Sequence, residues 1–75
     1  MNVYQLRPLG GYSNGMALVA AYTFAQAKQE YLLHGSLGEM YCFKDFGFDD
    51  RFSEPIDGLT WQGEPCIITE CIHIE

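Results

Sequence analysis

Residues 23–26 constrain the fold of this chain more than any other part of the sequence. Thr23, followed three residues later by Gln26, fits a capping box, in which the threonine oxygen accepts from the Gln26 amide and the glutamine side chain reaches back. Good helix formers follow, and Gly35 stands where the helix is expected to end. The sequence therefore predicts one helix with a buried stripe, and the apolar residues at helical spacing are Phe24, Ala27, Tyr31 and Leu32.

The segments on both sides of the helix are typical of β-strands. Residues 2–8 and 16–22 flank a cluster of Gly, Ser and Asn, which predicts two antiparallel neighbours joined by a turn. Residues 39–44 and 65–75 are two further predicted strands. The prediction is an α+β fold with a single helix packed on a largely antiparallel sheet of about four strands, in the order β-β-α-β-β, and residues 1–75 form a single domain.

The last predicted strand carries apolar side chains on both faces. Strict alternation places one set of isoleucines together, and these are Ile68, Ile72 and Ile74. The same alternation places Ile67 and Cys71 on the other face. Such a strand is expected in the middle of a sheet or under a covered face.

The length of 75 residues limits how much core the chain can form. A domain of this size buries only about 60% of the surface that its unfolded chain exposes. Three cysteines cannot all pair within one chain, and neither a secretory signal nor an apolar run of about 20 residues is present. We therefore expect reduced thiols, a cytoplasmic location, no membrane association and stabilisation by oligomerisation.

The charge of the chain argues against direct nucleic-acid binding. Ten acidic residues against four basic ones give a formal net charge of −6, whereas phosphate backbones are bound by clustered Lys and Arg. The imbalance lies in residues 39–75, which hold nine of the acids and two of the bases.

The soft metal ligands lack the spacing of a zinc site. Structural zinc sites usually present close pairs such as Cys-x-x-Cys. Here alternation places Cys66 on the face opposite Cys71 and His73, and no second pair follows. We therefore expect no zinc, and the full set of soft ligands is His34, Cys42, Cys66, Cys71 and His73.

Calcium binding and catalysis are not expected either. An EF-hand loop beginning at Asp45 would need an acidic third residue and a glutamate at its twelfth position, where the sequence has Gly47 and Ile56. No motif supplies a nucleophile with a base, an orienting carboxylate and an oxyanion hole. The sequence predicts no catalytic residue and no cofactor.

The segment 41–61 is the main candidate for a functional surface. It holds six of the eleven aromatic residues, interleaved with five acids. Either these aromatics cap the core as a satellite cluster, or some of them anchor a partner protein, because aromatic side chains dominate the energetic centres of interfaces. The candidate contact residues are Phe46, Phe48, Asp49, Asp50, Phe52 and Trp61.

Two stretches resemble small uncharacterised proteins of bacterial phages and mobile elements. In those proteins a strand runs straight into a capped helix, as residues 18–31 do here, and an isoleucine-rich strand closes the chain, as residues 65–74 do. The resemblance covers about half of the chain and implies the α+β fold. It transfers no catalytic residue.

Two functional hypotheses follow from the sequence. The first is a non-catalytic protein-interaction module that self-associates, or binds another protein, through the segment 41–61. The second is an acidic inhibitor that imitates nucleic acid and occupies the basic groove of a host protein such as a nuclease or repressor.

Overall fold

The computed structural model describes residues 1–9, 13–37 and 47–74, which form one helix on an antiparallel sheet. Strands β1 and β2 precede helix α1, and β3 ends the described chain. In the sheet β2 lies between β1 and β3 and is antiparallel to both. The α+β class is confirmed, and the predicted strand at 39–44 lies outside the described residues. The bounds are β1 Asn2–Leu6, β2 Ser13–Ala21, α1 Phe24–His34, a single 3-10 turn Asp50–Phe52, and β3 Cys66–Ile74.

The N-cap bond of the predicted capping box is present, whereas its return bond goes to a different amide from the one expected. The Gln26 amide donates to Thr23 Oγ1 at 3.1 Å. The Gln26 side chain reaches back to the amide of Tyr22, at 2.7 Å, which is one residue before the N-cap. Both bonds satisfy amides near the start of the helix.

Gly35 ends the helix for a reason other than its backbone freedom. Its φ of −70° is accessible to any residue, and its amide donates to the Tyr31 carbonyl at 2.8 Å. A Cβ at this position would lie 2.6 Å from atoms of the Tyr31 ring. Glycine is needed here because the tyrosine ring lies directly against the backbone.

The core lies between the helix and one face of the sheet. Tyr31 of the helix is fully buried with Leu6 of β1 and Val19 of β2. The rings of Tyr4 and Phe24 lie 5.9 Å apart, which joins the start of the helix to β1. The predicted helix stripe is confirmed, since Phe24, Ala27, Tyr31 and Leu32 all belong to or pack against this core.

A bulge between β2 and β3 changes the faces predicted for the last strand. Leu18 pairs with Thr69 and Val19 with Ile67, so Ile68 is an extra residue without an opposite partner. As a result Ile67 packs against the same core as Ile72. The prediction that Ile68 shares the face of Ile72 was wrong, because strict alternation does not hold across a bulge.

The outer edge of β1 is covered by residues 47–61, which we call the edge segment. The Asp49 amide donates to the Arg7 carbonyl at 2.7 Å, and the Ile56 amide to the Val3 carbonyl at 2.9 Å. At the far end the Trp61 amide donates to the carbonyl of residue 1 at 3.0 Å. The edge segment therefore runs antiparallel to β1 and satisfies an edge that would otherwise be open to other chains.

Among the described residues, no helix has the length and apolar character needed to cross a membrane.

Candidate functional site

Phe48 of the edge segment belongs to the core and not to the surface. It is 4% exposed, and its ring meets that of Tyr31 edge-on, with centroids 5.7 Å apart and planes at 88°. The cause is its pairing with Pro8 at the end of β1, which turns the side chain towards the helix. Phe48 therefore offers no surface to a partner and fits the satellite-cluster alternative.

Asp49 is buried and bound to an arginine of its own segment. Arg51 donates to it from Nε to Oδ1 and Oδ2, both at 3.1 Å, and from Nη2 to Oδ2 at 2.7 Å. The Arg51 amide also donates to Oδ1 at 2.9 Å, so the carboxylate caps the 3-10 turn. These hydrogen bonds from Arg51 hold the pKa of Asp49 below its ordinary value, and the same pair raises the pKa of Arg51.

Phe52 lies on the opposite side of the sheet from Phe48. The guanidinium of Arg7 lies over its ring, 5.1 Å from the centroid, which is a cation–π distance. Arg7 follows the core residue Leu6, so alternation points its side chain away from the helix. Phe48 and Phe52, which are four residues apart on either side of the start of the 3-10 turn, therefore lie on opposite faces of the sheet.

Trp61 lies at the other end of the edge segment, where several apolar side chains are exposed. Asn2 pairs with Ala21 on one side and with Thr60 on the other. Along the chain, Tyr22 follows Ala21, and Leu59 and Trp61 flank Thr60. The exposed fractions of Tyr22, Leu59 and Trp61 are 63%, 46% and 36%. We call these three residues the apolar end.

The structure therefore separates the residues that the sequence grouped together. Phe48 and Asp49 are buried, whereas Asp50 is exposed, Phe52 is half-buried and Trp61 is exposed. Phe46 lies outside the described residues. Sequence analysis missed Leu59, although it lies two residues before Trp61. It also missed Tyr22, because only the pairing around Asn2 brings Tyr22 to the same end of the sheet.

The two described cysteines do not form a metal site. The bulge places Cys66 opposite Ala20 and Cys71 opposite Met16, so both point to the helix-free face. The prediction of opposite faces was wrong. At about 3.3 Å per residue they are about 16 Å apart along β3, and the described residues contain no group of three His, Cys, Asp or Glu suited to a metal ion.

Comparison with protein-family models, with curated proteins and with solved structures finds no match for this chain.

Proposed function

We propose that the chain is a non-catalytic protein-interaction module that self-associates through the exposed side of the edge segment. The observation that carries the proposal is the apolar end. Tyr22, Leu59 and Trp61 come from two distant parts of the sequence, and the start of β1 brings them to one end of the sheet. Exposed apolar side chains that gather in one place are typical of protein contact sites.

The way the edge segment is held also supports a contact surface. Backbone hydrogen bonds tie it to β1 at both ends and at Val3 in the middle, and Phe48 anchors it in the core. A surface fixed in this way loses little conformational entropy when a partner binds.

The alternative of a nucleic-acid mimic is less well supported by the described acids. Asp49 is neutralised by Arg51 and buried, so it cannot present a phosphate-like charge. Arg7 and Arg51 lie beside it, and both would oppose a basic groove.

The self-association proposal is tested by sedimentation velocity on the wild type and on the double variant Leu59→Ser/Trp61→Ser. We expect a concentration-dependent dimer in the wild type and a monomer in the variant. The matched control is Leu33→Ser on the helix, because Leu33 is 66% exposed and lies away from the apolar end. A wild type that stays monomeric at millimolar concentration would overturn the proposal.

The same measurement at rising salt separates the two hypotheses. In a dimer held by the apolar end, the apolar contacts persist at 0.5 M salt and only the charge pairs around them weaken, whereas binding that depends wholly on exposed acids in a basic groove weakens steeply.

A further inference from the structure

We propose that the partner on the edge segment is a second copy of the chain in antiparallel orientation, with the Arg7 end of each copy against the Trp61 end of the other. This inference rests on the proposed self-association and specifies its geometry. It is carried by the unequal distribution of charged groups between the two ends of the edge segment, together with the residues beside each end.

The two ends of the edge segment are well separated. One end is bonded to Arg7 and the other to Met1, six residues away along an extended strand. At about 3.3 Å per residue the two ends lie about 20 Å apart. A group at one end therefore does not contact a group at the other end of the same copy.

The first end carries both arginines of the chain. Arg7 is exposed and lies over Phe52, and the exposed Arg51 is paired with the buried Asp49. Asp50 and Leu9 are also exposed at this end, where the Leu9 amide donates to the Gly47 carbonyl at 3.0 Å, and Glu54 is an exposed acid between the two ends. The guanidinium of Arg7 lies over the Phe52 ring, 5.1 Å from its centroid, and its Nε donates to Gln5 Oε1 at 2.8 Å.

The second end is apolar and acidic. Leu59 and Trp61 are flanked by the exposed carboxylates of Asp57 and Glu64, and the sequence has no Lys or Arg after Arg51. The amino group of residue 1 lies here too and donates to the Trp61 carbonyl at 2.9 Å.

These two ends complement each other only when the copies run in opposite directions. A parallel arrangement would place the carboxylates of both copies together, which is repulsive. A twofold arrangement brings Arg7 of one copy to the acids and the indole of the other, and does so twice. Arg7 would then contact two aromatic rings, Phe52 of its own copy and Trp61 of the other, and a guanidinium over an aromatic face is a favourable contact.

The test uses charge reversal at each end. Arg7→Glu and the double variant Asp57→Lys/Glu64→Lys are each expected to weaken the homodimer about tenfold or more, because each places like charges together at both contacts. An equimolar mixture of the two variants is expected to recover dimers of wild-type affinity, since both contacts of the mixed dimer are again attractive. Sedimentation velocity with one variant fluorescently labelled measures the mixed species.

The control is Lys28→Glu, which makes the same charge change on the helix, where Lys28 lies over Phe24. It is expected to dimerise within about twofold of the wild type. Far-UV circular dichroism melts verify that all variants fold. Arg7, Asp57 and Glu64 are exposed, and Lys28 is half-buried.

Three outcomes separate the inference from the proposed function. Recovery in the mixture supports the antiparallel geometry. A wild type and variants that all dimerise equally well would overturn the geometry while self-association stands. A monomeric wild type would overturn both.

Discussion

Glu70, in the middle of β3, accepts hydrogen bonds from both the amide and the hydroxyl of Ser36, at 3.3 and 2.7 Å. Ser36 lies two residues beyond the end of helix α1, so this contact fastens the end of the helix to the strand at the far side of the sheet. Burial raises the pKa of Glu70, but hydrogen bonds from Ser36 and Tyr31 together outweigh it and hold the pKa below its ordinary value.

The Glu70 contact predicts a specific dependence of stability on pH. Because the folded-state pKa is lowered, the contribution of Glu70 is complete above its ordinary pKa of 4.5 and is lost as the pH falls through the lower folded value. Urea denaturation from pH 7 to pH 3 is expected to show a smaller loss of stability in Glu70→Gln than in the wild type. Glu64→Gln is the control, since it removes an exposed carboxyl outside this contact. Identical pH profiles for Glu70→Gln and the wild type would contradict the assignment.

The capping box predicts the effect of removing its hydroxyl. Thr23→Ala leaves the Gln26 amide without its acceptor and is expected to lower the free energy of unfolding by about 1 kcal/mol. Thr23→Ser keeps the oxygen and is expected to stay within about 0.5 kcal/mol of the wild type. Urea denaturation of the three proteins checks this. Equal stability of the alanine and serine variants would show that the cap contributes nothing.

The two phenylalanines of the edge segment are expected to differ sharply in their effect on folding. Phe48→Ala removes a buried ring that packs on Tyr31 and is expected to cost about 3 kcal/mol or more. Phe52→Ala removes a half-buried ring whose described contact is Arg7, and is expected to cost about 1 kcal/mol. Thermal melts of both variants provide the comparison. A larger loss of stability in Phe52→Ala than in Phe48→Ala would show that Phe48 is not the residue that anchors the edge segment in the core.

The helix and the class of the fold were predictable because their signals are local. Thr23 and Gln26 are three residues apart, and the cap bond depends on nothing outside the helix start. The strands on each side of it show β-propensity and a turn cluster, which also act over a few residues.

The side chains of β3 and of the edge segment that face the core could not be predicted from such local signals. The bulge that moves Ile67 to the core depends on how β3 pairs with β2, about 50 residues earlier in the chain. Phe48 and Phe52 face opposite sides because the edge segment pairs with β1 and then makes a 3-10 turn. Composition shows that aromatics are concentrated there, but only this pairing decides which of them are buried.

Gly15 in β2 permits a last prediction, because the backbone of β3 passes directly against it. Its φ is +108°, and a Cβ there would overlap the carbonyl oxygen of Cys71. Gly58 is a matched control: its φ is +79°, but a Cβ would have no atom within 4 Å. Both alanine substitutions introduce the strain of a positive φ, about 1 kcal/mol or more.

The difference between the two alanine variants then measures the close approach of the strands. Gly15→Ala must also displace a strand backbone, so it is expected to lose about 1–3 kcal/mol more than Gly58→Ala in urea denaturation. The expected result is a Gly58→Ala protein that folds with a modest loss and a Gly15→Ala protein that is largely unfolded at 37 °C. Equal losses in the two variants would mean that β2 and β3 do not approach each other at Gly15 as the sheet register requires.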